Sequence, residues 1–185
     1  MTATFALHPD DEKQLVRIRR YLIGFRKTEG WNQKEMSIRI NGTEGMGWDL
    51  EYNQTWQWRF SRLQAWVAAF DLRLTAELRF DDDPDLECRV REHPEVAPLI
   101  GLSHTGQNWP MWQRAALTSS LAVARKEKGI TSEQLAATLG ITRKAVNNWE
   151  GMANEVLLTK LLFHARALGG RIQLGLDELD ALVAR

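Results

Sequence analysis

Residues Gly129 to Leu168 read GITSEQLAATLGITRKAVNNWEGMANEVLLTKLLFHARAL, and this stretch decides the fold. Thr131 is placed to cap a helix, with Gln134 at the third helical position returning the bond in a capping box. Leu135, Ala136 and Leu139 give that helix an apolar stripe at helical spacing. Gly140 permits a sharp turn, Ile141 plugs the core beneath it, and Thr142 caps a second helix. Val146 and Trp149 point inward, which forces Arg143, Lys144, Asn147 and Asn148 toward solvent or a partner. After Gly151, residues 155–168 form a further amphipathic helix through Val156, Leu157, Leu161, Leu162, Ala165 and Leu168. Upstream, Leu117, Leu121, Ala124 and the stem of Arg125 share a helix face that Gly129 ends. A small helical unit projecting cations and amides in this way can enter the major groove of duplex DNA and read base edges.

A weaker copy of the layout lies 99 residues earlier. Ile18, Leu22, Phe25, Arg26 and Gly30 stand at the places of Leu117, Leu121, Ala124, Arg125 and Gly129. Asn32 and Glu35 make the capping pair, with Met36 and Ile40 where Leu135 and Leu139 lie. Asn41-Gly42 supplies the turn, Thr43 the next cap, and Gly47 and Leu50 the inward positions. The parallel then shifts by one residue, and a long helix is expected from about Thr55 to Phe70. Its apolar set is Phe60, Leu63, Trp66, Val67 and Phe70.

Both copies end alike. Residues 73–80 alternate polar and apolar side chains, as a half-buried strand does, and residues 170–176 correspond to them. A lone strand leaves backbone groups unsatisfied, so each needs a partner. The fold class expected is mainly α, with two tandem helix-turn-helix units whose terminal strands pair as a two-stranded antiparallel ribbon. Pairing between two chains is the rival arrangement. The expected organisation is a divergent first domain at 1–80, an acidic, Pro-containing connector at 81–110, the clearer domain at 111–176 and a tail at 177–185. Four of the five prolines fall in the connector, at Pro84, Pro94, Pro98 and Pro110, with a short helix or strand expected near Leu86 to Val90. About 30 residues is long for a plain loop.

The 111–176 unit resembles the Cro/cI type of helix-turn-helix domain (XRE-like), found in phage repressors, bacterial transcription regulators and many antitoxins. The residues that carry the resemblance are Leu121, Arg125, Gly129-Ile130-Thr131, Leu135-Ala136, Leu139-Gly140-Ile141-Thr142, Val146, Trp149-Glu150-Gly151 and Leu161 through Gly169. The resemblance implies that the helix of residues 132–139 crosses the DNA backbone and that the helix of residues 142–149 enters the major groove. Arg143, Lys144 and Asn147 then become the base-edge readers, with Asn148 beside them near phosphate or base. Ser132 stands where such domains usually carry a phosphate-bracing glutamine, and Gln134 is a further phosphate candidate. The first unit keeps that glutamine as Gln33, followed by Lys34. Arg17 and Arg20, in an arginine-rich run, are its other phosphate candidates, against the plainer reading of a solvated face. Its second helix, residues 43–51, has three acids, two glycines and no basic side chain. Glu44 and Trp48 are its candidate base contacts, and docking on its sister or on another protein is the alternative. The strand-ended form resembles the subgroup in which a C-terminal strand pairs two such domains, as in several antitoxins.

Composition bounds these readings. Formal net charge is zero, yet residues 12–80 hold 12 Lys/Arg against 8 Asp/Glu and residues 111–176 hold 9 against 4. Residues 81–95 carry seven acids and two arginines. Two basic modules around an acidic connector suit a polyanionic partner, with ordinary surface variation as the plain alternative. Cys88 is the single cysteine, so no intrachain disulfide forms. No apolar stretch approaches the roughly 20 residues needed to span a bilayer, and no secretory signal pattern opens the chain. A cytoplasmic, soluble protein is the expectation. His8, His93, His104 and His164 are scattered without metal-ligand spacing, and Asp81-Asp82-Asp83-Asp85 lack the pattern of a calcium loop. No catalytic residue, metal or cofactor is expected, and Trp56, Trp58 and Phe60 read as core ahead of partner surface.

The leading expectation is a sequence-specific regulator of transcription that binds double-stranded DNA. It would act as a repressor by occupying an operator, with phage or mobile-element origin one option. The second is an antitoxin that represses its own operon and holds a toxin protein through Trp48, Trp56, Trp58 or Trp109 and Trp112. The third is an architectural or protein-docking module. Partners are thus double-stranded DNA, and alternatively a second copy as a homodimer or a toxin, with no membrane.

Overall fold

The computed structural model describes residues 6–40, 46–52, 58–105, 108–151 and 155–178. The described chain runs α1 (Pro9–Thr28), α2 (Gln33–Arg39), α3 (Met46–Tyr52), α4 (Phe60–Ala68) and β1 (Leu72–Arg79). It continues with α5 (Pro84–Glu92), α6 (Ala97–Thr105), α7 (Trp109–Glu127), α8 (Ser132–Leu139), α9 (Arg143–Glu150), α10 (Leu158–Ala167) and β2 (Arg171–Glu178). The architecture is mainly helical, with one two-stranded sheet. Among the described residues no helix is long and apolar enough to cross a membrane.

Local chemistry starts these helices. Pro9 opens α1, and Asp10, Asp11 and Glu12 fill its first turn, where acids meet the positive end of the helix dipole. Asn32 and Glu35 form the full capping box of α2, and Thr131 and Gln134 form that of α8. Asp83 caps α5 by accepting the Leu86 N–H at 2.9 Å. The acidic run read as a connector therefore starts a helix, whose Leu86 and Val90 lie one turn apart and are buried. Residues 81–110 are not a plain linker: α5 and α6 fold within them, and α6 packs along α7.

The ribbon forms within one chain. β1 pairs antiparallel with β2 over its whole length, Leu72 opposite Glu178, Ala76 opposite Leu174 and Arg79 opposite Arg171. β2 runs to Glu178, two residues past the boundary expected at 176. A second contact joins the halves where Arg59 bridges Leu157. There the Phe60 N–H donates to the Val156 carbonyl at 3.3 Å, and the Leu158 N–H donates to the Trp58 carbonyl at 2.8 Å. This contact corrects two helix starts. Trp58 and Arg59 are extended, so α4 begins at Phe60 and not near Thr55; Val156 and Leu157 are extended, so α10 begins at Leu158 and not at 155.

These contacts obey a two-fold relation. Leu157 follows Arg59 by 98 positions, and Leu174 follows Ala76 by the same 98. Each pair therefore consists of equivalent residues facing each other, which places both on an internal pseudo-two-fold axis. The two hydrogen bonds flanking the Arg59–Leu157 bridge exchange under the same operation. Side chains repeat it. Gln14 of α1 donates from Nε2 to the Ile172 carbonyl of β2 at 3.0 Å, while Gln113 of α7 donates from Nε2 to the Leu74 carbonyl of β1. Each half's first helix thus holds the other half's strand. Beneath the ribbon, Leu15, Leu22, Phe60, Leu63, Leu74, Leu117, Leu121, Leu161 and Ile172 belong to one apolar core drawn from both halves.

Candidate nucleic-acid interface

α8 and α9 are joined by a three-residue turn, Gly140 to Thr142, in which Gly140 adopts φ 63°, a left-handed conformation that a side chain would strain. Thr142 then caps α9 by accepting the Ala145 N–H at 3.2 Å. Val146 and Trp149 anchor α9 in the core. With those two positions fixed, the 3.6-residue period turns Arg143, Lys144, Asn147 and Asn148 outward, and all four are exposed. Arg143 makes an exposed ion pair with Glu133 of α8 at 2.8 Å. Such pairs are weak in water and are readily exchanged for a stronger anion.

The C-terminal end of α9 is tied down by a part-buried network. Arg125 of α7 grips Glu150 in a bidentate pair, Nε to Oε1 at 2.7 Å and Nη2 to Oε2 at 2.8 Å. Its Nη1 donates to the Ile130 carbonyl at 2.7 Å. The hydrogen bond from Glu150 raises the pKa of Arg125 above its ordinary value, against the opposing effect of burial. His164 of α10 is fully buried, with Nε2 3.4 Å from Glu150 Oε1. Burial lowers its pKa to about 4; Glu150 raises it less, and Arg125 lowers it further. The imidazole is therefore neutral under physiological conditions and packs near the Trp149 ring.

The same network recurs in the first half. Arg26 grips Glu51 through Nε and Nη2 and donates from Nη1 to the Trp31 carbonyl. All three residues lie 99 positions before Arg125, Glu150 and Ile130. The surface differs. Trp48, at the place of Asn147, is 54% exposed and stacks on Tyr52, itself 56% exposed, with ring centroids 5.5 Å apart. Asp49 takes the place of Asn148. The Gly47 N–H donates to Ser37 Oγ, and a Cβ on Gly47 would lie 2.6 Å from the Gln33 carbonyl oxygen. This close approach explains a glycine where the second half has Val146.

The sequence-predicted residues are not all equally placed. Arg143, Lys144, Asn147 and Asn148 share one short helix, and Ser132 and Gln134 lie in the first turn of α8. The Gln134 Oε1 accepts the Thr131 N–H at 2.7 Å, so its Nε2 is what remains to donate to a phosphate. Gln33 is half-buried and donates from Nε2 to Glu51 Oε2 at 3.2 Å, turned toward the Arg26–Glu51 pair. Lys34 is exposed on α2, and Arg17 and Arg20 are exposed on α1. Glu44, the Asn41-Gly42 turn, Thr43 and Trp56 lie outside the described residues. Trp58 and Trp109 are buried and give no toxin-binding surface, which corrects their placement in the antitoxin expectation. Sequence reading missed Gln14, Gln113 and both Arg–Glu pairs. The signal for the pairs was present, since each glutamate follows its arginine by 25 residues.

Residues 121–173 match the family model described as Helix-turn-helix. The matched segment runs from the middle of α7 through α10 into β2, so it contains the whole helix-turn-helix and its Glu150. The match supports binding of double-stranded DNA by this unit and a place in transcription regulation. No curated protein and no solved structure matches the chain at a significant level.

Proposed function

We propose that the protein is a sequence-specific repressor of transcription in which one chain supplies a pseudo-dimer for the DNA. α9 enters the major groove, where Arg143 and Lys144 serve guanine acceptors and Asn147 pairs with an adenine edge. Asn148 lies beside them, and Ser132 and Gln134 brace on the flanking phosphates. The observation that carries the reading is the exposed polar face of α9 on a helix clamped by Val146, Trp149 and the Arg125–Glu150 pair. A clamped helix loses little freedom on binding, so its contacts discriminate between bases.

The first half is a divergent second helix-turn-helix module, supported by the repeated Arg–Glu–carbonyl network and by the two-fold ribbon. Its α3 carries Trp48 and Asp49 where α9 carries two asparagines. That face does not suit the same bases, and the preferred DNA site is accordingly asymmetric. Repression follows from occupancy, which needs no catalytic group.

Selection of bound duplexes from a random-sequence pool tests the proposal. The expected product is one asymmetric consensus occupied by a single chain. Affinity for it should fall steeply with salt, since each neutralised phosphate releases about 0.9 counterion. A pool that emerges without a consensus, or a flat salt dependence, contradicts it. The stacked Trp48–Tyr52 pair favours one second reading, in which a protein partner such as a toxin covers α3. Under that reading Trp48→Ala abolishes binding of the partner and leaves the DNA consensus unchanged.

A further inference from the structure

The pseudo-two-fold is also broken where the two glutamines meet the ribbon, beside a cleft. On β2 the Gln14 carboxamide bridges two backbone groups of the outer edge: Nε2 donates to the Ile172 carbonyl, and Oε1 accepts the Leu174 N–H at 2.8 Å. On β1 the Gln113 Nε2 reaches the equivalent Leu74 carbonyl, but its Oε1 instead accepts from Gln64 Nε2 at 3.0 Å. Gln64 stands where the second half has Leu162, 98 positions on, which offers no such donor. The Ala76 N–H, equivalent to that of Leu174, therefore receives no carboxamide oxygen.

Strand alternation sends the N–H and C=O of Leu74, Ala76 and Leu78 to this same outer edge, since the Leu74 carbonyl already faces Gln113. No strand lies beside that edge among the described residues. The space is a cleft between β1, α5, α6 and α7. Consecutive residues Thr75 to Arg79 line it, as an edge does and a single sheet face cannot. Val90, Ile100, Ala116 and Leu117 make its apolar walls. Ser103 and Ser120 donate their hydroxyl protons to the carbonyls of Ile100 and Ala116, each at 2.7 Å, which leaves both hydroxyl oxygens as acceptors. Arg79 answers both Glu77 and Glu87, and Arg91 also lines the cleft, so two acids and two guanidinium groups balance there in formal charge.

We propose that this cleft binds a small neutral molecule bearing an amide group, held by the Ala76 carbonyl and the Leu78 N–H as Ile172 and Leu174 hold the Gln14 carboxamide. Those two groups are the same carbonyl-and-N–H pair one step further along a strand edge. A primary amide donates one N–H to Ala76 and its second to a serine hydroxyl oxygen, and its carbonyl accepts from Leu78. The apolar walls take the remainder of the molecule, in the manner of ligand pockets that are mostly apolar with a few convergent polar groups. A ligand so placed touches β1 of the first half, α7 of the second and the two helices between them. The proposal is independent of how α9 meets DNA.

The test is a titration of the full chain with N-acetylglycinamide, read by the amide resonances of the isotopically labelled protein. Saturable shifts of Ala76 and Leu78 are expected, with none at Ile172 and Leu174, whose edge is filled. Sodium N-acetylglycinate, which replaces the amide by a charged carboxylate, should leave them unmoved. Two variants narrow the cleft: Ala116→Leu from its wall, and Ile100→Phe from its half-buried mouth. Loss of the shifts in either variant that keeps the native spectrum supports the site. Absence of saturable shifts at Ala76 and Leu78, or the same shifts in the narrowed variants, overturns it. Binding of a capped trialanine in place of N-acetylglycinamide also overturns it, in favour of strand addition.

Discussion

Gln14 and Gln113 lie 99 positions apart and grip equivalent carbonyls on opposite strands of the ribbon, Ile172 and Leu74. Each glutamine belongs to one half and its target to the other, so neither half completes its own strand edge. This exchange is how a symmetric pair of separate chains would interlock, and here a single chain contains it. Removing one glutamine should therefore weaken the whole molecule and not one module. Gln14→Leu leaves one carbonyl and one N–H of β2 without their partner, at about 1–3 kcal/mol per buried group. Denaturant unfolding should show an earlier midpoint with a single transition. An unchanged midpoint would show that water replaces the side chain at no cost.

The Arg–Glu pairs give a second expectation. Glu150→Gln removes the charge that Arg125 answers and leaves a nearly buried guanidinium. Breaking such a pair from one side costs about 3–5 kcal/mol. Glu51→Gln should cost a similar amount, because Arg26 is held by the same three contacts. Thermal unfolding of the two variants measures both losses; a large loss for one and none for the other would separate the networks in function as well as in position.

Gly47 yields a third. Gly47→Ala drives a Cβ to 2.6 Å from the Gln33 carbonyl oxygen, which is backbone and cannot swing aside. Overpacking of this kind costs about 1–3 kcal/mol. Urea unfolding should register it, although alanine is the better helix former. A gain in stability would mean that α2 and α3 separate freely.

Acid should act through His164. Its folded pKa of about 4 lies below the ordinary 6.5, so between these values the unfolded chain binds the extra proton. The contribution of the neutral imidazole is thus complete above pH 6.5 and is lost as pH falls toward 4, by up to about 1.4 kcal/mol per unit. Stability measured from pH 7 to 4 should drop less in His164→Phe than in the wild type. Parallel profiles for the two proteins would remove His164 as a cause.

The helix-turn-helix was legible because each of its turns carries a local signal. Thr131, Gly140 and Thr142 mark the boundaries, and Val146 and Trp149 fix which side of α9 faces out. The ribbon was legible as two alternating strands with no other partner. What the sequence did not disclose depends on contacts between distant residues. Nothing beside Gln14 or Gln113 in the chain signals a strand edge more than 30 positions away. The extended segments at Trp58 and Val156 read as helix because their apolar spacing continues into α4 and α10, and only the bridge between Arg59 and Leu157 overrides it. Residues 81–110 looked like a linker for their prolines and acids, yet Pro84 and Asp83 are good helix starters once Leu86 and Val90 have α7 to pack on. At the site, α9 was readable from its own pattern, whereas the inward turn of Gln33 depends on Glu51, a tertiary partner.

The central claim is that α9 reads bases. The most direct measurement compares wild type, Arg143→Ala and Asn147→Ala on the selected duplex and on random duplex at one salt concentration. Each variant should lose about 1–3 kcal/mol on the selected site and far less on random DNA, so that the specificity ratio collapses. Equal losses on both duplexes, or no loss on either, would contradict base reading by α9.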